Sequence, residues 1–320
     1  MPLLSVKNLE VVFPLRTGSV TAIKDVSFDL EQGERIGIVG ESGAGKSISA
    51  FAILNLISKP GYLAAGSILF KDRDLANLDE EQMRQIRGNE ISMIFQDPMM
   101  TLNPVLTIGT QMEETILAHK NLSRQAARKI SVAKLKAVQI PSAETRLEQY
   151  PHELSGGMRQ RVVIAIALLS DPAIIIADEP TTALDVTIQA EILELLLNLC
   201  NDFDVGLILI THDLGVVSEV TQRILVMYAG RIIEQGPTDQ VIAKPMHPYT
   251  QGLLGALPEK ARPGQRLNQI PGVMPSLQEI PAGCPFHNRC NHAQAVCKVD
   301  LPVLGGNGSR AVACHFPLNQ

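Results

Sequence analysis

Apolar and polar residues alternate over the first thirty positions. Val6, Leu9, Val11 and Phe13, then Val20, Ala22, Ile23, Val26, Phe28 and Leu30, follow the two-residue period of a half-buried sheet. This predicts an N-terminal antiparallel part. Arg35–Val39 (RIGIV) predicts a short apolar strand that runs straight into glycine, and Ile48 to Ile57 predicts a helix after it. Strands then alternate with helical stretches, the pattern of a largely parallel sheet covered by helices. Residues 104–170 break that rhythm. Leu106 to His119, Arg124 to Val138 and Met158 to Leu169 carry helical spacing with little strand text between them, which predicts a helical insertion. Strand text returns at Ala173 to Ala177, Gly206 to Ile210 and Arg223 to Met227, with an apolar helix at Ala190 to Leu199. The expected division is a main domain over 1–257 and a small irregular Cys-rich appendage over 258–320. That last stretch holds eight of the 20 prolines and four of the five cysteines, with little periodicity.

Composition narrows the class. The 320 residues are 45% hydrophobic, 19% charged and 4% aromatic, an ordinary globular mixture that excludes extensive disorder. Net charge −5 and pI about 5.8 argue against nucleic acid as a partner. The longest apolar run, Val162 to Leu169, falls far short of the ~18 residues that a membrane-spanning helix needs. No basic stretch followed by an apolar core opens the chain, so no secretory leader is expected.

Gly40-Glu41-Ser42-Gly43-Ala44-Gly45-Lys46-Ser47 fits the phosphate-loop pattern G-x-x-x-x-G-K-[ST] between a strand and a helix. Its glycines let successive N–H groups and a helix N-terminus face phosphate oxygens. Lys46 is placed to bridge β- and γ-phosphates, and Ser47 to offer its hydroxyl to Mg²⁺. Ala173 to Pro180 (AIIIADEP) reads as a buried strand ending in acids. Asp178 is placed for the Mg²⁺ shell, and Glu179 to accept a proton from a water aimed at the γ-phosphate. Leu154 to Gln160 (LSGGMRQ) opens a helix with Ser155 as N-cap and Gly156 and Gly157 exposing N–H groups: a second anion site with no anion of its own.

Together these motifs resemble the ATP-binding subunit of an ABC transporter over residues 1 to about 245. They stand in the order GESGAGKS, Gln96 in IFQDP, LSGGMRQR, IIIADEP, Ala183-Leu184-Asp185, and His212 in ITHD. The resemblance implies a P-loop NTPase of ABC type: a mixed sheet with an antiparallel part, a RecA-like core and a helical subdomain at about 104–170. It implies two such domains packed head to tail, so that Ser155, Gly156 and Gly157 of one close on phosphates held by Lys46 of the other. Glu179 is then the general base, His212 contacts the γ-phosphate, Gln96 reaches Mg²⁺ and the water, Asp185 links the two sites, and Phe13 stacks on adenine. FQDPMMTLNP, DEPTTALDVTIQAEIL, VMYAGRIIEQG and HPYTQGLLGALP resemble the dipeptide and oligopeptide (including nickel) importers. That implies ATP-driven import at the cytoplasmic face of the inner membrane, beside two permeases, a second ATPase (identical or paralogous) and an extracytoplasmic binding protein. The competing reading is a soluble ABC ATPase acting on nucleic acid or ribosomes, which usually carries two ATPase halves, long coiled coils or a basic face.

Cys284, Cys290, Cys297 and Cys314 are separated by five, six and sixteen residues. In a cytosolic protein disulfides are disfavoured, which points to metal ligation. The C-x₂-C pairs of zinc ribbons are missing, and four thiolates on Pro-rich loops suit a [4Fe–4S] cluster, also the expectation of the resembled subfamily. Zinc, with His287, His292 or His315 replacing a thiolate, is the alternative. Cys200 reads as a small buried hydrophobe.

Overall fold

A computed structural model describes all residues except 17, 183, 258–268, 307–308 and 320. Ala183 of the Ala183-Leu184-Asp185 motif and Pro258, where the tail was expected to begin, therefore lie outside the described residues. The chain forms two compact units. The first comprises residues 1–31, 35–77 and 209–320; the second comprises 32–34 and 78–208.

The first unit contains two sheets. Leu4–Leu15 pairs antiparallel with Gly18–Leu30 on one side and with Tyr62–Phe70 on the other. These are the strands that the alternation predicts, and their apolar positions Leu4, Val6, Leu9, Val11, Ile23, Val26 and Leu30 are buried. In the other sheet Arg35–Val39 lies parallel to Arg223–Tyr228, which turns antiparallel into Arg231–Pro237, and that strand pairs with the short tail strand Ala311–Val312. The sheet is thus mixed. Arg35–Val39 delivers the chain into the Gly-rich loop, and the helix Lys46–Ile53 leaves it. That helix stops four residues short of the predicted Ile57: Asn55 takes a left-handed backbone (φ +50°) just past the cap, which ends the helical hydrogen bonding.

In the second unit Ile91–Ile94 pairs parallel with Ile174–Asp178, whose five residues are all buried. Helices Ile108–His119, Arg124–Ala137, Ala143–Arg146 and Gly156–Ala167 fall within the stretch predicted to be helical. Three of them start on side-chain caps: Thr107, Ser123 and Ser155 each accept an N–H from the first turn. Val186–Phe203 is capped by Asp185 and carries Cys200, 2% exposed, on its apolar face.

The tail is not a detached appendage. Cys284, Phe286 and Cys297 belong to the same hydrophobic cluster as Val39, Ile224, Tyr228 and Tyr249. Phe286 meets Tyr228 edge-on at 5.3 Å and Tyr249 at 5.4 Å, while those two tyrosines meet at 4.7 Å. The main chain ties in as well: Ala313 N–H donates to the Ile233 carbonyl at 2.8 Å, and Leu318 N–H to Met246 at 2.9 Å. Sparse periodicity hid this packing, because the tail contributes single anchors and short 3₁₀ turns (His287–Arg289, Ala295–Lys298) rather than long faces. No helix among the described residues is long and apolar enough to cross a membrane.

Candidate active site

In the first unit the loop 40–47 wraps around the Lys46 side chain. Its Nζ donates to the Gly40 carbonyl at 2.8 Å and the Glu41 carbonyl at 3.1 Å, and Lys46 is only 5% exposed. Two glycines explain why the motif needs them. Gly45 adopts φ +102°, and a Cβ there would lie 2.7 Å from Ile23 Cγ2; a Cβ on Gly40 would lie 2.3 Å from the Met227 carbonyl oxygen. Ala44 is buried beneath the loop, while Ser42 and Gly43 are exposed on its rim and Ser47 is half-buried at the helix start. A cavity of about 1300 Å³ of open, atom-free space adjoins Gly40, Glu41, Ser42 and Gly43, and His212 lines it too. His212 follows the strand Gly206–Thr211 and is exposed. The first four residues of the loop and the His212 imidazole thus border one cavity, and the loop's N–H groups suit it to a polyanion.

Phe13 is not among the residues that line this cavity. It sits in the strand Leu4–Leu15 opposite Val20, and its ring packs on the Gly61 backbone, where a Cβ would come within 2.4 Å.

In the second unit Gln96 and Glu179 are joined, with Gln96 Nε2 donating to Glu179 Oε2 at 3.1 Å. Thr182 Oγ1 donates to the same oxygen at 2.9 Å. Glu179 holds a left-handed backbone (φ +46°), rare for a side chain of its size, so its two hydrogen bonds hold a strained residue in one orientation. Asp178, one residue earlier, is 5% exposed at the end of its strand. Ser155 caps the helix Gly156–Ala167: its Oγ accepts the Met158 N–H at 3.4 Å. Gly156 is exposed and Gly157 half-buried, and a Cβ on Gly157 would press Ile188 Cγ2 at 2.9 Å. The first turn of that helix therefore leaves main-chain N–H groups open to an anion. Asp185 is exposed and caps its own helix through Ile188 N–H at 3.0 Å.

The four tail cysteines are free thiols that line one cavity of about 330 Å³ of atom-free space, together with His287, His292 and His315. Burial pushes the Cys284 thiol up to about 11 and raises Cys290 and Cys314. His287 Nδ1 and His315 Nε2 already bond main-chain carbonyls of Cys284 and Asp300, each at 2.9 Å. Among the described residues no three His, Cys, Asp or Glu side chains converge tightly enough for a single ion.

Several participants escape a motif search. Arg289 from the tail grips Glu41 of the loop, and Tyr249 Oη accepts the Glu41 N–H at 2.8 Å. His247 caps the helix Pro248–Gly255, accepting Tyr249 N–H at Nδ1 (3.0 Å) while its own N–H donates to Glu234 Oε2 at 2.9 Å. Desolvation holds its imidazole down at about 3. The HPYT run was visible in the sequence, but its role as a helix cap over the loop was not.

A phosphate loop between a strand and a helix marks a P-loop ATPase. The "ABC transporter" family model matches residues 23–182, and the model "Oligopeptide/dipeptide transporter, C-terminal region" matches 233–297. The chain belongs to the ABC transporter family. A Brucella melitensis biotype 1 protein that carries the name of a peptide import ATP-binding protein is 48% identical over 327 residues, covering 97% of each chain. A Brucella abortus (strain 2308) protein with the same kind of name is 50% identical over 98% of this chain and 94% of its own. Among solved structures, the ATP-binding cassette MJ0796, a dimer bound to ADP and Pi, superposes with TM-score 0.66 at 28% identity, over 73% of this chain and 98% of that one. CbiO1 of Clostridium perfringens, part of an ABC transporter complex, superposes at 0.65 and 28%, over 76% and 91%.

Proposed function

We propose that this ABC ATPase energises the import of dipeptides or oligopeptides across the cytoplasmic membrane, docked on two permease subunits as a head-to-tail pair with a second ATPase. The observation that carries the peptide class is the tail: residues 233–297 match the oligopeptide/dipeptide C-terminal region, and the long relatives over nearly the whole chain bear peptide-import names.

Within that reading each residue has a task. Lys46 and the N–H groups of Gly40–Ser47 take the β- and γ-phosphates, and His212, on the same cavity, orients the terminal one. Glu179 takes a proton from the attacking water, and Gln96 orients that carboxylate through its amide. Ser155, Gly156 and Gly157 offer their N–H groups to the nucleotide of the second ATPase; Asp185 joins the two sites; Phe13 stacks on adenine. Ser47 and Asp178, a hydroxyl and a buried carboxylate, are hard oxygen donors that fit Mg²⁺, with Gln96 as a third ligand. The ion neutralises phosphate charge when bound. Exposed Met99, Met100 and Val105 follow Gln96 and suit an apolar permease surface.

For the four free thiols that share one cavity we take a [4Fe–4S] cluster as the reading, on the chemistry of a four-cysteine donor set, with zinc as the alternative. Cys284, Cys290, Cys297 and Cys314 would hold the cluster as a structural staple.

The test is to co-express the chain with candidate permeases and a binding protein from the same source and purify the assembly without air. Peptide-stimulated ATP hydrolysis and co-purifying membrane subunits are expected. A chain that purifies alone and is stimulated by nucleic acid or ribosomes overturns the import reading.

A further inference from the structure

Glu41 presents an electrostatic problem. It is the second residue of a loop whose purpose is to hold a polyanion, and its side chain remains 32% exposed. A free carboxylate there would repel phosphate through a partly desolvated medium, where charge–charge energies exceed those in water. The structure cancels that charge from 248 residues away. Arg289 Nη1 donates to Glu41 Oε2 at 2.6 Å and Nη2 to Oε1 at 2.9 Å, a bidentate fork. Its Nε donates to the Pro271 carbonyl at 2.8 Å, and its guanidinium lies 5.8 Å from the Tyr228 ring centre. The arginine side chain is 5% exposed, so it is held on every side. The segment that Arg289 anchors also reaches the loop: residues 272–277 form the far wall of the cavity beside Gly40–Gly43, and Met274 Cε lies 3.1 Å from where a Gly43 Cβ would be.

We propose that Arg289 is a positioning residue of the nucleotide site: by pairing with Glu41 it removes a negative charge from the phosphate loop, and by gripping Pro271 it sets the tail segment 272–277 as one wall of that site. The tail thereby contributes to ATP affinity in its own chain. The proposal rests on residues 40–47 being the phosphate loop.

The test is calorimetric titration of ATP and ADP into the full chain. Arg289→Met exposes the Glu41 charge, and ATP affinity falls roughly tenfold. ADP, with less charge, loses less. Raising the salt concentration narrows the difference, because the repulsion is screened. Glu41→Gln placed in the Arg289→Met background restores most of the ATP affinity. A role confined to tail packing predicts no such rescue, so failure of the double variant to recover overturns the proposal. Arg289→Lys keeps the charge without the fork and serves if the methionine variant does not fold. A loss smaller than tenfold but greater than none is expected, and wild-type affinity in that variant overturns the proposal. Lys46→Ala separates the two levels of the argument. If it abolishes ATP binding while Arg289→Met binds normally, the loop assignment stands and the role of Arg289 falls; if Lys46→Ala binds ATP normally, the loop assignment itself fails.

Discussion

Gln96 Nε2 lies 3.1 Å from Glu179 Oε2, and Thr182 Oγ1 lies 2.9 Å from the same oxygen. One carboxylate oxygen is therefore held by two donors, which fix the orientation of the group proposed as general base. Glu179→Gln keeps the shape but removes the basic oxygen. ATP binding persists and turnover falls by about 100-fold or more, read by comparing nucleotide affinity with steady-state phosphate release. Gln96→Ala removes an orienting donor and one proposed Mg²⁺ ligand but leaves the base in place, so a smaller loss of roughly tenfold is expected; equal losses for both variants contradict this division of labour.

Much of this arrangement was legible in the sequence because it is local. The loop 40–47, the acids at 178 and 179 and the cap Ser155 are each contained in a few consecutive residues whose types dictate their backbone, whereas the capping role of Asp185 emerged only from the structure. The strands Arg35–Val39 and Arg223–Tyr228 were equally plain, being short apolar runs. The strand Tyr62–Phe70 was not: its residues YLAAGSILF are mostly exposed or half-buried, so no clean alternation marks it. Gly66 at φ +100° also interrupts it where the neighbouring strand's backbone crowds in, with the Lys7 oxygen 2.6 Å from a virtual Cβ. The pairing of Arg289 with Glu41 joins residues 248 positions apart and leaves no periodic trace. The four cysteines announced a shared site by type, whereas the aromatic anchor Phe286 beside them looked like any loop residue.

Phe286 is 3% exposed and touches Tyr228, Tyr249 and His247, with ring centres 5.3 to 5.7 Å apart. Phe286→Ala opens a cavity where tail and core meet, at a cost of about 3–5 kcal/mol. The expected result is a lower melting temperature of the full chain together with early proteolysis within residues 270–320. Phe316→Ala, on a ring 38% exposed, should change stability far less. Equal effects would show that the tail does not lean on Phe286.

His247 links acidity to stability. Buried and neutral, it accepts the Tyr249 N–H, and its folded value near 3 lies below the ordinary 6.5. The unfolded chain therefore binds a proton that the folded chain refuses at any pH between those values. Stability from this group is complete above about pH 6.5 and falls on acidification by up to ~1.4 kcal/mol per pH unit, until the folded imidazole also protonates. His247→Asn retains a capping acceptor without a titrating ring. Denaturant unfolding between pH 7 and pH 5 should show a shallower acid loss for that variant, and an unchanged slope would rule His247 out as the cause.

The five cysteines divide by environment. Cys200 is buried on the apolar face of Val186–Phe203 and is not among the residues lining the cavity that Cys284, Cys290, Cys297 and Cys314 share. Cys200→Ser puts a hydroxyl in an apolar setting and costs about 1–3 kcal/mol, while leaving the tail chemistry intact. Cys297→Ser removes one of four ligands from the proposed cluster. Anaerobically purified wild type and Cys200→Ser should then each carry about four iron and four sulfide per chain with a broad visible absorbance, and Cys297→Ser should lose most of both. Where the proposed cluster staples the tail, the same loss should lower the melting temperature of Cys297→Ser, and chelation of wild-type protein should reproduce that shift. One zinc per chain without sulfide would replace the cluster by the zinc alternative, and iron retained by Cys297→Ser would detach that residue from the site.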